Sequence, residues 1–194
     1  MLSVPGMTVT APKDGAEMLG LLRAGVEHTE GPFCFRYPRD ASPDVPGAIA
    51  QIPATPYATW EVVRRGREVA ILAVGTMVNQ SLKAAELLAA DGIDVTVVNC
   101  RYMKPYDEVT LNAILAGHTH VLTVEEGTVV NGFGAFISSV IHRQAPTVRT
   151  SVHGVPDRIV YAAPRAKQLA SCGLDPAGIA DRVRALRDSE ALAS

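Results

Sequence analysis

The chain has 194 residues, 47% of them hydrophobic and 20% charged, a composition that suits a soluble globular protein with one sizeable core plus an accessory segment, or two small domains, and no need of covalent staples. Lys and Arg number 18 against 20 Asp and Glu, a net charge of -2 with no long basic tract, which argues against nucleic acid as a partner. No basic-then-apolar leader opens the sequence and no window approaches the roughly 18–20 apolar residues of a membrane span, so a cytoplasmic protein without membrane contact is expected.

Two short apolar stretches bounded by Pro and Gly, residues 3–9 and 32–37, predict strands on either side of one helix. Asp14 is placed to cap that helix, with Glu17 completing a capping box and Met18, Leu21, Leu22 and Val26 forming its apolar stripe. One helix over two strands leaves both sheet edges open, so this piece is expected to be the end of a larger sheet. Pro43, Pro46, Pro53 and Pro56 then mark an extended linker.

Beyond the linker, residues 60–66 form a lead-in strand and residues 68–75 a buried one. A helix over 79–90 follows, with Leu82, Ala85, Leu88 and Ala89 turned inward. The alternation continues through a strand at 93–99, a helix from Asp107 to Ala116, a strand at 118–124, a helix from Gly134 to Arg143 and a strand at 146–152. Asp175-Pro176 starts a closing helix with Ile179, Val183 and Leu186 on its buried face. Strands alternating with helices predict an α/β fold, a mostly parallel sheet with helices on both faces.

Chemistry-bearing residues gather at three strand ends. Arg36 and Arg39 flank Tyr37-Pro38 where a strand leaves the sheet, either to hold a phosphate bidentately or to form an interdomain salt bridge. Glu125 and Glu126 end another strand before a turn with Gly127, Gly132 and Gly134; they either cap the strand end or pair with donors across a subunit interface that packs on the glycines. The turn lacks full GxGxxG spacing and carries an acidic pair, which disfavours a nucleotide phosphate. Arg101 lies where it could clamp Glu125, since successive parallel strands end on one side of the sheet.

Cys34, Cys100 and Cys172 are widely separated and read as buried free thiols. The five histidines, His28, His118, His120, His142 and His153, show no metal-ligand spacing, and His153 has no orienting acid for a hydrolase triad. No catalytic residue and no metal ligand is assigned.

In order along the chain, TVTAPKD, GPFCFRYPRD, EVAILAVGTMV, VTVVNCRYMKPYDE, VLTVEEGTVVNGFGAFI and HGVPDR resemble the 1-deoxy-D-xylulose-5-phosphate synthases over nearly the whole sequence. The resemblance implies that residues 1–40 are the tail of a pyrimidine-binding domain, 41–66 a linker with its lead-in strand, and 67–194 a transketolase-like C-terminal domain. It implies a thiamine-diphosphate- and Mg2+-dependent condensation of pyruvate with glyceraldehyde 3-phosphate that feeds isoprenoid and thiamine synthesis. Both cofactors belong to the complete enzyme and neither is expected to stay bound to this chain alone. Arg39, helped by Arg36, would contact the phosphate of the sugar substrate. Arg101, Glu125, Glu126, Gly132 and Gly134 would serve structure or interface.

The expected assembly is a homodimer, a complex with a separate polypeptide carrying the thiamine-binding domains, or both, with the isolated chain inactive. Two features depart from the family pattern: Asp40 stands where Gly commonly follows RYPR, and Ala162-Ala163 where His-Gly often stands. They keep open a noncatalytic assembly or regulatory module, or a component of another transketolase-like or 2-oxoacid dehydrogenase enzyme.

Overall fold

A computed structural model describes residues 1–40 and 49–188. The N-terminal part runs β1 (Thr8–Thr10), α1 (Gly15–Glu27) and β2 (Phe33–Phe35), with β1 and β2 parallel. The first strand is shorter than the apolar run 3–9 suggests, because Pro5 and Gly6, the latter at φ +69°, turn the chain before Thr8.

Asp14 caps α1 as expected, accepting from the Glu17 N–H at 2.8 Å. The reciprocal half of the capping box is absent: the Glu17 carboxylate takes the Lys13 N–H at 2.7 Å and lies buried. The packed face of α1 is Glu17, Gly20, Leu21 and Ala24, while Leu22 and Val26 are exposed, a correction to the predicted stripe. Two of the four contact positions are a carboxylate and a glycine, which an apolar count passes over. Gly20 is required because Thr55 and Pro53 of the linker cross α1 there, and the Thr55 N–H donates to the Gly20 carbonyl at 2.9 Å. Residues 41–48 of the predicted linker lie outside the described residues.

The rest of the chain runs β3 (Glu61–Arg64), β4 (Val69–Ala73), α2 (Met77–Ala90), β5 (Val95–Asn99), β6 (Tyr102–Lys104), α3 (Glu108–Gly117), β7 (His120–Thr128), α4 (Phe133–Gln144), β8 (Arg149–Val155), α5 (Arg165–Ser171) and α6 (Pro176–Asp188). Five strands form one sheet in the order β3-β5-β4-β7-β8, parallel throughout except for the antiparallel edge strand β3. β4 and β5 are buried along their whole length, as central strands covered on both faces must be.

Period-two alternation splits this sheet's side chains between two cores. Ala70 and Leu72 pack with α1, α3 and α4. Val69, Ile71 and Ala73 pack with α2, α5 and α6. The predicted mostly parallel α/β sheet with flanking helices is therefore what forms.

β6 and α5 were not anticipated. β6 pairs antiparallel with β1, giving a second sheet of three strands, β2-β1-β6. The N-terminal fragment thus extends its sheet with a strand from the later part of the same chain. Val9, Ala11 and Leu21 share one core with Trp60, Tyr102 and Phe133. At the junction the Trp60 N–H donates to Asp107 Oδ2 at 2.8 Å and its indole to the Tyr102 carbonyl at 2.7 Å.

Smaller corrections concern single side chains. Ala89 is exposed, since the inward face of α2 follows Met77, Ser81, Ala84, Ala85 and Leu88. Of the three free cysteines only Cys100 is buried, and burial, helped by the Asp107 charge, raises its thiol pKa well above the ordinary value. Among the described residues no helix is long and apolar enough to cross a membrane.

Candidate functional site

The two sheets meet along a crevice at the carboxyl ends of β1, β2, β4 and β7. In open α/β sheets this is where ligands collect, because the loops leaving parallel strands diverge there. A cavity of about 560 Å³ is walled by Ala11 and Pro12 after β1, Phe35 to Pro38 after β2, Val74 to Thr76 after β4, and Glu126 on β7. A second of about 330 Å³ adjoins it, sharing Pro12, Tyr37, Pro38 and Thr76 and adding Asp40 and Arg165.

Arg36 sits on this wall, and Arg39 lies in the same segment between Pro38 and Asp40, which line it, without itself lining either cavity. The Arg36 N–H donates to the Thr10 carbonyl at 2.8 Å, anchoring the backbone, while the exposed side chain approaches Met103 Sδ at 3.9 Å. Arg39 is exposed and makes no hydrogen bond or ion pair among the described residues.

Glu125 and Glu126 point to opposite sides of β7. Glu125 is 1% exposed and accepts from the backbone N–H groups of Phe133 at 3.1 Å and Gly134 at 2.7 Å, so it caps α4. Its carboxyl pKa is raised by burial, against the opposing pull of those hydrogen bonds and of the Arg36 charge. Gly132 and Gly134 admit this carboxylate: a Cβ at Gly132 would collide with Glu125 and the Thr128 carbonyl, and one at Gly134 would lie 2.5 Å from Thr123 Oγ1. The glycines therefore pack within the chain against a buried acid.

Glu126 faces the crevice and is held by Arg165, through Nε at 3.0 Å and a second nitrogen at 2.5 Å. Arg165 also donates to Thr76 Oγ1 at 2.8 Å and Asp40 Oδ2 at 3.2 Å. The Glu126 hydrogen bond, outweighing the opposing effect of burial, raises the pKa of the guanidinium.

Arg101 does not clamp Glu125. It approaches Glu17 at 3.6 Å and donates to the Thr59 carbonyl at 2.9 Å and to Thr59 Oγ1 at 2.7 Å. Strand β4 stands between β5 and β7, so these two ends are not neighbours. Glu17 also accepts from Asn99 Nδ2 at 2.7 Å, which makes it the polar centre joining α1 to β5.

His153 donates from Nε2 to the Gly173 carbonyl at 2.6 Å, and burial lowers its pKa, with the Arg182 charge adding to the effect and the hydrogen bond to Gly173 opposing it. His118 bonds Thr96 Oγ1 and the Ile114 carbonyl. Among the described residues no group of three or more His, Cys, Asp or Glu side chains is placed to hold a metal ion.

Sequence reasoning missed Arg165, Thr76 and Glu17 as members of these networks. Pro164 ahead of a run of helix formers closed by Gly173 would have located α5, and with it Arg165 in a first turn.

A buried, mostly parallel sheet whose carboxyl ends open on a charged crevice is the general ligand-binding architecture of open α/β proteins. Residues 58–179 match the family model described as transketolase, C-terminal domain, and the chain belongs to that family.

Within the family the similarity is to one group of enzymes in particular. The chain is 41% identical over 182 residues to the 1-deoxy-D-xylulose-5-phosphate synthase of a Synechococcus strain, covering 94% of this chain and 28% of that protein. It is 39% identical over 181 residues to that of Gloeobacter violaceus, covering 93% and 28%. The chain thus spans under a third of the length of these curated relatives and aligns with their C-terminal region.

A solved split-gene transketolase, an inactive beta4 tetramer, superposes with TM-score 0.85 at 28% identity, covering 96% of this chain and 59% of that one. A mutant transketolase from Pichia stipitis superposes with TM-score 0.70 at 17% identity, covering 95% and 25%, a likeness of fold alone. The described residues do not fit the Mg2+-diphosphate end of thiamine diphosphate: the crevice presents Glu126 already engaged by Arg165, and no ligand cluster for a metal.

Proposed function

We propose that the chain supplies the acceptor-phosphate wall of a 1-deoxy-D-xylulose-5-phosphate synthase-type enzyme, which joins pyruvate to glyceraldehyde 3-phosphate with loss of carbon dioxide. Residues 1–40 act as the tail of a pyrimidine-binding domain, 41–66 as the linker and 67–194 as the C-terminal domain. The thiamine diphosphate and Mg2+ site is contributed by domains outside these 194 residues, on the same or a separate polypeptide, in an assembly that is dimeric or higher.

One observation supports the reading: Arg36 to Pro38 and Asp40 border the crevice and Arg39, between them in sequence, keeps its guanidinium unengaged among the described residues, in a chain about two-fifths identical to such synthases over nearly its whole length. An unengaged guanidinium is free to hold a phosphate bidentately.

A noncatalytic assembly module is the second reading. Asp40 beside Arg39 and the exposed Ala162-Ala163 in place of His-Gly favour it.

The deciding experiment purifies the chain alone and together with polypeptides bearing the thiamine-binding domains of such a synthase, and follows thiamine diphosphate binding and pyruvate decarboxylation. Activity is expected only in the complex. Turnover by the chain alone overturns the proposal, and a stable complex without cofactor-dependent chemistry supports the second reading. In an active complex Arg39→Ala should raise KM for glyceraldehyde 3-phosphate by about tenfold or more, the loss of a charge-assisted contact. The effect on an unphosphorylated aldehyde should be small, and equal losses with both acceptors would assign Arg39 to structure.

A further inference from the structure

A carboxylate one residue from Arg39 opposes an approaching phosphate unless something cancels its charge. Asp40 is such a group, and it lies against Arg165, which reaches it from the first turn of α5 across 125 positions of sequence. The same guanidinium grips Glu126 at two points and Thr76 at a third, so one side chain joins the end of β7, the start of α2 and the segment after β2.

The charged side chains lining the two cavities are Lys13, Arg36 and Arg165 against Asp14, Asp40 and Glu126, and Arg39 stands exposed beside them in the segment after β2. With Arg39 counted, four cations against three carboxylates leave one positive charge, and without Arg165 the balance is neutral.

We infer that Arg165 is a positioning residue, which neutralises Asp40 and fixes residues 36–40 against the C-terminal part so that Arg39 meets a phosphate monoester with its own charge uncancelled. This rests on the reading of Arg39 as a phosphate ligand. The role belongs to the pair: where glycine follows the RYPR segment there is no carboxylate to neutralise, and Arg165 has one duty fewer.

A double-mutant cycle isolates that pair from the other contacts of Arg165. Arg165→Ala, Asp40→Gly and the double variant of the full chain are titrated with inorganic phosphate against chloride at equal ionic strength, by calorimetry and by the shift in unfolding temperature. Each is also unfolded in urea without phosphate.

Arg165→Ala alone is expected to weaken phosphate binding about fivefold, and in the Asp40→Gly background less than about twofold. Equal loss in both backgrounds assigns the effect to Glu126 and Thr76 and overturns the inference, as does no loss in either. Phosphate binding that survives while the urea cycle shows no coupling overturns the pairing and leaves the reading of Arg39 standing. An unaltered chain that takes up no phosphate, with coupling present in urea, overturns the reading of Arg39 and the positioning role with it. If Arg165→Ala does not fold, Arg165→Gln is read in the same two backgrounds by the same criteria.

Discussion

Glu125 illustrates how much one side chain can depend on its neighbours having none. Its carboxylate reaches two N–H groups at the start of α4 because Gly132 and Gly134 leave the space, and Gly127 and Gly154 close in on it as well. Burial still raises its pKa, ahead of the opposing hydrogen bonds and the Arg36 charge. A folded pKa above the unfolded one gives stability that is complete below the unfolded value, about 4.3, and is lost as pH rises through the folded value. Glu125→Gln should therefore destabilise the protein by about 1–3 kcal/mol, with the larger cost near pH 4 and the smaller near pH 7. Urea unfolding of both proteins at the two pH values measures this, and a cost that grows toward neutral pH would contradict the sign. At this scale the sequence reveals which residues are unusual, the acidic pair and its glycines, but not what they touch. The partner of Arg101 is Glu17 rather than Glu125 because strand order, absent from any local pattern, separates β5 from β7.

Among the elements, the strands of five or more residues and the helices of ten or more are all located from their periodicity, though the packed face of α1 is not. The caps at Asp14, Asp107 and Asp175 all accept from a backbone N–H three residues ahead. β6 was missed because three residues between Arg101 and Pro105 carry no period, and the strand exists only through its pairing with β1. α5 was missed because its single buried residue, Leu169, leaves no stripe to read. Asp107 does more than its cap position suggests: it accepts from the Thr110 N–H and hydroxyl and also from the Trp60 N–H at the linker's end. Burial opposes its ionisation, but these hydrogen bonds prevail and its carboxyl pKa is lowered. Asp107→Ala should cost about 2–3 kcal/mol, the sum of a lost cap and a stranded buried N–H. Denaturant midpoints measure the loss, and a cost near that of an isolated cap, about 1 kcal/mol, would show that the Trp60 contact contributes nothing.

For the molecule as a whole, the sequence suggested an N-terminal fragment followed by a domain, and the packing joins them. One core holds Val9 and Leu21 together with Trp60, Leu72 and Phe133, and Glu17 binds Asn99 across the junction. The protein should therefore unfold in one transition, with Trp60 fluorescence and far-ultraviolet circular dichroism following the same curve. Two separated transitions would mean that the fragment melts independently of the larger sheet. His153 adds a pH dependence to this unit: burial depresses its folded pKa, so its contribution is present above the unfolded value of about 6.5 and fades as pH falls through the folded one.

The loan of β6 to the N-terminal sheet bears on how such a chain tolerates being cut in two. A break in the proline-rich stretch would leave β1 and β2 on one product and their third strand on the other. Each half would carry a template for its counterpart, Val9 and Thr10 on one pairing with Lys104 and Tyr102 on the other across a bulge. Reassembly of the severed halves is thus written into the sheet itself, and a gene divided at this point would yield two products able to find each other without any new contact having to arise.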